Sequence, residues 1–167
     1  MILVTVGNAT QRFGRLLQAI DDLAASGAFA AEPVIIQSGN NPEFQARHCE
    51  VRPFVSMDEF GQLMEGASLI ICHGGCGTQL HAIRLGKIPV VMPRREKYGE
   101  HLNDHQMQLV EALAAENKIV PAYEPADLAP AIIEARERNK TPLVAQASPM
   151  LSLVAQAIEE LAGSQRS

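Results

Sequence analysis

The stretch "LIICHGGCGT", residues 69–78, is an apolar run that stops at His73 and then places glycine at three of the next four positions. Its first half reads as a buried strand and its second half as a tight turn into a helix. Similar short β-branched runs recur along the chain: "ILVTV" at 2–6, "PVIIQ" at 33–37, "SLIIC" at 68–72 and "IPVVM" at 88–92, with "IVP" at 119–121 as a short last strand. Helical spacing separates them. Residues 11–26 carry Phe13, Leu16, Leu17, Ile20 and Leu23, residues 57–67 carry Phe60, Leu63 and Met64, and residues 103–117 carry Leu109, Val110 and Leu113. Two further helices are expected over 125–138 and 148–162. Strand alternating with helix predicts an α/β fold with a mostly parallel, doubly wound, Rossmann-like sheet.

A chain of 167 residues suits one such domain over its whole length, large enough to bury roughly 70% of its unfolded surface. The net charge of -5 provides no basic footprint, so nucleic acid is excluded as a partner. Cys49, Cys72 and Cys76 are an odd number at no disulfide-framework spacing, which suits a reducing compartment. The start "MILVTVG" lacks the basic segment and the longer apolar core of a secretory signal, so the expected location is cytoplasmic. No apolar stretch approaches the ~20 residues that span a bilayer.

In sheets of this type ligands bind outside the carboxyl ends of the strands. Gly7 and Asn8, the segment His73 to Thr78 and the loop after Met92 all fall on that edge. Four chemistries suit the glycine-rich hexapeptide. As an anion site, glycines 74, 75 and 77 admit a ligand to the backbone, and free amides at the start of the next helix point at it. His73 adds a hydrogen bond, and Thr78 serves as helix N-cap or phosphate contact. As a nucleophile elbow, Cys76 lacks one of its two flanking glycines, because Thr78 stands there. As a metal site, His73 and Cys76 would join His101 and His105, but Asn103 reads as the N-cap of the next helix, which separates the two histidines, and no metal is expected. The fourth reading is a plain strand-to-helix turn. A dinucleotide fingerprint is ruled out because Gly7 and Gly14 are too far apart, and there is no Gly-Lys-Ser/Thr of a Walker loop.

Other residues reach the same edge. His81, one turn past Gly77, leans back toward the anion site. Gln106 shares a stripe with Leu109, Val110 and Leu113, so it faces the strand ends, or pairs with Asn103 in a capping box. Arg94, Arg95 and Lys97 follow the strand at 88–92 and suit either a solvated loop or an acidic ligand group.

Taken together, "ICHGGCGTQLHAIRLGKIPVVMPRREKYGEHLNDHQMQLVEAL" resembles the donor-binding half of GT-B glycosyltransferases of the family 28 C-terminal type. "MILVTVG", "FVSMDEF" at 54–60, the His-Gly-Gly turn and "PRREKYGEHLNDHQ" at 93–106 resemble the small subunit of two-component bacterial exopolysaccharide and capsule glycosyltransferases. They are also similar to the soluble subunit of the eukaryotic N-acetylglucosaminyltransferase that makes lipid-linked chitobiose. The resemblance implies a UDP-sugar donor and no cofactor. Carried over, Gly7, His73, Gly74, Gly75, Cys76, Gly77 and Thr78 hold the diphosphate, with His73 as the catalytic group, and Phe54, Val55 and His81 lie by the uridine. Glu100, His101, Asn103, His105 and Gln106 surround the hexose, and Arg94 suits a uronate. His81 stands where many relatives carry a glutamate that binds the ribose.

The resemblance further implies that the chain corresponds to one half of a GT-B enzyme. The other half is then a membrane-anchored subunit that binds a lipid-linked saccharide acceptor, and it holds this chain at the inner membrane face. Residues 148–162, with Leu151, Val154, Ile158 and Leu161 in one stripe, form a helix able to meet either the chain's own core or that partner. The implied function is the UDP-sugar-binding catalytic subunit of an inverting, metal-independent hexosyltransferase of exopolysaccharide or capsule biosynthesis. The alternative is a non-catalytic nucleotide-sugar-binding enhancer of a partner transferase.

Overall fold

Residues Ile2–Thr5 (β1), Val34–Gln37 (β2), Leu69–His73 (β4), Val90–Met92 (β5) and Val120–Pro121 (β6) take up the apolar runs, and Glu50–Arg52 (β3) adds a strand that no apolar run announces. A computed structural model describes residues 1–141, and the expected helix at 148–162 lies outside the described residues. The six strands form one parallel sheet in the order β3-β2-β1-β4-β5-β6. β3 escapes sequence reading because it is a three-residue edge strand paired only with β2. Arg52 there is held by Glu50 and Glu59, so charge rather than β-branching marks the segment.

Helices Gly14–Ala25 (α1), Met57–Gly66 (α2), Cys76–Arg84 (α3), His105–Ala115 (α4) and Leu128–Asn139 (α5) cover both faces of the sheet. Within β1 the period-2 alternation sends Ile2 and Val4 to one side, with Leu16, Leu17 and Ile20 of α1 and Ile132 of α5. Leu3 goes to the other, with Leu63 and Met64 of α2 and Val110 and Leu113 of α4. Burial on both faces is why the central strands read as continuous apolar runs. Helix ends follow local chemistry. The Ser56 hydroxyl accepts the Glu59 amide at 3.2 Å to start α2, and Lys87 Nζ donates to the carbonyls of Met64 and Ala67, both at 2.7 Å, near its end. Among the described residues no helix is long and apolar enough to cross a membrane.

The order of the strands decides where a ligand fits. β1 and β4 are neighbours, with Thr5 beside Cys72, yet the chain leaves β1 toward α1 on one face and β4 toward α3 on the other. The diverging connections open a crevice at their carboxyl ends, the topological switch point of an open α/β sheet.

Phe13 lies in the core at the start of α1. It is wholly buried, and the Arg94 guanidinium lies 4.7 Å from its ring centroid. Phe13→Ala is expected to cost about 3–5 kcal/mol, read as a lowered urea midpoint; a midpoint unchanged from wild type would show that the ring carries no such packing.

Candidate functional site

A cavity of about 440 Å³ occupies the crevice. Its wall is assembled from three strand ends and two helices. Thr5, Gly7 and Asn8 come from the end of β1, Gln37 from β2 and His73 from β4. Gly75, Gly77, Thr78 and His81 come from the turn and α3, and Val55, Met57 and Phe60 from the start of α2.

The His73 ring sits between two glycines. A Cβ on Gly7 would lie 2.6 Å from His73 Cε1, and one on Gly75 would lie 2.8 Å from Cδ2 and closer to Nε2, so any side chain at either position would displace the imidazole. Gly7 also takes φ +70°, which favours glycine. Burial first, and then the positive charge of Arg94, push the His73 pKa down to about 4, so the ring is neutral at neutral pH. The Thr5 backbone opposes the shift only in part, and the buried Nδ1 has no hydrogen-bond partner. A neutral imidazole can donate one N–H to an anion without contributing a full charge.

The turn leads directly into α3. Gly75 is the N-cap and has no side chain to satisfy the first-turn amides, and no acidic residue occupies that turn. The amides of Cys76, Gly77 and Thr78 therefore remain available to a ligand, together with the positive end of the helix dipole. Thr78 is not the N-cap expected from sequence: the helix has already begun at Cys76, and Thr78 lies in its first turn on the cavity wall. Gly74 serves packing, because a Cβ there would stand 2.9 Å from Gln106 and 3.3 Å from Pro93. Gly77 meets nothing within 4 Å in place of its missing side chain, which leaves its backbone open.

Sequence reading missed the polar floor. Thr5 Oγ1 donates to Gln37 Oε1 at 2.6 Å and accepts the Gly7 amide at 3.2 Å. Gln37 Nε2 then donates to Pro53 O at 3.0 Å and to Gly7 O at 3.4 Å. These residues belong to different strands, and the available signal was their position, the last residue of β1 and of β2. Met57 and Phe60 were also missed; helical spacing accounted for Phe60 as core, and nothing in the sequence singled out Met57. Phe60 instead lies against His81, ring centroids 6.4 Å apart, so the two flank the cavity with Val55.

Several expected contacts are not brought to the cavity. Phe54 is 56% exposed and does not line it. Arg94, far from facing a sugar, is wholly buried, because its guanidinium is occupied by the carbonyls of Val6 and Gln11, each at 2.8 Å. Glu100 is likewise consumed: its carboxylate takes two 2.9 Å bonds from Arg15 and the Arg95 amide at 3.0 Å. His101 Nδ1 lies 3.1 Å from Asn103 O, and Asn103 Oδ1 accepts the His105 amide. Gln106 does not form a capping box with Asn103; its Oε1 accepts the Arg94 amide at 3.0 Å, and α4 starts at His105 behind Asp104. None of Arg94, Glu100, His101, Asn103, His105 and Gln106 lines the cavity, though Gln106 abuts Gly74.

The cysteine reading loses its physical basis. Burial raises the Cys76 thiol, and it raises Cys72 and Cys49 to about 12, the reverse of what a nucleophile needs. Among the described residues no group of three or more His, Cys, Asp or Glu is placed to share a metal ion.

Against this geometry the comparisons with known proteins agree. The family model described as the glycosyltransferase family 28 C-terminal domain matches residues 1–161. The UDP-N-acetylglucosamine transferase subunit ALG13 of Yarrowia lipolytica is 31% identical over 123 residues, 68% of this chain and 60% of that protein. The chain thus matches about 60% of that curated relative's length. Of solved structures, the glycotransferase of kitacinnamycin superposes with TM-score 0.60 at 18% identity, covering 83% of this chain and 37% of that one. The glycosyltransferase SnogD from Streptomyces nogalater gives 0.52 at 20%, covering 95% and 42%. At such identity the two structures speak for the fold: a Rossmann-like sheet like that of a GT-B half.

The His73 shift has a consequence for stability. Its folded pKa of about 4 lies below the ordinary 6.5, so between those values the unfolded chain binds the proton and the folded chain does not. Stability contributed by the neutral ring is present above pH 6.5 and is lost as pH falls toward 4. Urea midpoints measured across this window are expected to fall more steeply for wild type than for His73→Gln; parallel curves would contradict the shift.

Proposed function

The chain belongs to the glycosyltransferase family 28 C-terminal domain family, and on that premise we propose that it is the nucleotide-sugar-binding subunit of a two-subunit glycosyltransferase, holding a UDP-sugar donor and not a transferase by itself. The observation that carries this reading is the wall of the cavity. It joins an uncapped helix start to a half-buried His73 whose buried Nδ1 has no hydrogen-bond partner, which suits a diphosphate. Among the described residues it includes no Asp or Glu.

Transfer needs a group to take the proton of the acceptor hydroxyl as that oxygen bonds to the anomeric carbon and UDP departs with the electron pair of the broken bond. His73, held neutral by burial, is assigned here to the diphosphate and not to that proton. Among the described residues the cavity wall has no carboxylate to take it, and on this reading the base and the acceptor belong to a second chain, membrane-anchored and binding a lipid-linked saccharide, at the cytoplasmic face. Exopolysaccharide or capsule synthesis is the setting proposed for it. This chain's share is to hold the diphosphate: the amides of residues 76–78, the helix dipole and a neutral imidazole N–H meet the charge it already carries. Val55, Phe60 and His81 form a flat-sided compartment beside it suited to a uracil, and the hexose would lie past Gly74 toward Gln106.

Of the two readings drawn from sequence, the non-catalytic one is thus the better supported, and it agrees with a relative whose name is that of a transferase subunit. Calorimetry on the full chain is expected to give tighter binding of UDP than of UMP, with a loss of about tenfold or more in Gly75→Ala, where the new methyl group meets the His73 ring. Equal affinity for the two nucleotides would remove the diphosphate assignment. With the second subunit present, His73→Ala is expected to raise KM for the donor and leave kcat nearly intact; a fall in kcat at unchanged KM would restore the catalytic reading.

A further inference from the structure

Arg94 is the largest wholly buried side chain of the described residues, and it is a cation. A guanidinium out of water needs partners on every N–H it can supply. Here the partners are backbone carbonyls: Nη2 donates to Val6 O at 2.8 Å, and Nη1 to Gln11 O at 2.8 Å and to Arg12 O and Glu100 O at 3.3 Å, while the buried Nε has no hydrogen-bond partner. Its flat face rests on Phe13. Residues 6–13, which supply three of those carbonyls, have no helix or strand of their own to hold them. The same loop contains Gly7, whose backbone closes on the His73 ring.

An apolar side chain could fill the space under Phe13 without the desolvation cost of a charge, but it could not fasten carbonyls pointing from separate places on an irregular loop. We propose that Arg94 is a positioning residue of the donor site, its buried guanidinium fastening the loop after β1 so that Gly7 seats the His73 ring against the start of α3. The proposal rests on the donor-binding reading above for its functional meaning, though not for its geometry. The arrangement extends past the guanidinium, since the Arg94 amide donates to Gln106, the side chain that Gly74 packs against. One residue thereby links the loop after β1, the turn after β4 and the first turn of α4. Its charge also acts on the ring: Arg94 and His101 are the charged or titratable groups that disfavour the imidazolium, and burial acts in the same direction.

Two variants of the full chain separate fastening from charge. Arg94→Lys keeps the cation and loses the planar fork, whereas Arg94→Met loses both. Three readouts apply to each: the titration of the His73 ring by NMR, hydrogen exchange at the Gly7 and Phe13 amides, and calorimetry with UDP. In wild type the ring is expected to titrate at about 4 and both amides to be protected, by Thr5 Oγ1 and Asn41 Oδ1. Both variants should exchange these amides faster and bind UDP on the order of tenfold more weakly. Arg94→Met should move the His73 titration upward by more than Arg94→Lys, because it loses the charge as well as the fastening, a difference that a purely structural role would not produce. A wild-type ring titrating in the ordinary histidine range overturns the proposal without recourse to any variant. So does unchanged exchange at both amides in Arg94→Lys, which also decides the matter where Arg94→Met does not fold. Failure of wild type to bind UDP would remove the donor-binding reading instead, leaving the titration and exchange results to judge Arg94.

Discussion

The contact of the His73 ring with the bare backbones of Gly7 and Gly75 constrains everything around it. Because the ring fills the space where either Cβ would stand, β1 and β4 must end at the same level and their loops must turn away at once. Gly7 does so with φ +70°, and Gly39, at φ +53°, must then also lack a side chain, because a Cβ there would run into the Gly7 carbonyl. The loops after β1 and β2 and the turn after β4 are thus packed backbone to backbone around one imidazole. Removing water from that ring also keeps it neutral.

A neutral histidine at a helix start makes an anion site of a particular kind. The wall, among the described residues, has no lysine or arginine, so attraction comes from amides, a dipole and one N–H. Formal charges stand back from it. Arg94 is spent on carbonyls, and Glu100 is held by Arg15, whose guanidinium also reaches Pro93 O and Tyr123 O. This layout stabilises charge already confined to a diphosphate without offering a strong acid or base of its own.

The chain matches about 60% of the length of the yeast transferase subunit and 37% and 42% of the two glycosyltransferase structures. In an open α/β sheet the strand ends form one wall of a crevice. Met57, 83% exposed, leaves its side of the cavity wall apolar and open.

Legibility divided along physical lines. Five of the six strands, the helices that cover them and the turn at residues 73–78 could be read from sequence, because each is set by the periodicity or turn chemistry of adjacent residues. β3 could not, since an edge strand of Glu50, Val51 and Arg52 buries too little to leave an apolar signature. The phosphate end of the site was legible because glycine and a helix start are local features. The destinations of Arg94, Glu100 and Gln106 were not: from the sequence they were polar residues on the ligand edge, available to a sugar. Only the tertiary structure, by bringing the loop after β1 within 2.8 Å of Arg94 and the His73 turn against Gln106, decided that they hold the site from behind. Thr5 and Gln37 moved the opposite way, from strand ends to cavity floor. The sequence by itself determined which segments become strands and helices, since that depends on neighbours along the chain. Which polar side chains face the ligand depends on groups 30 to 90 positions away, such as Thr5 with Gln37 and Val6 with Arg94, and those meet only after the sheet is assembled.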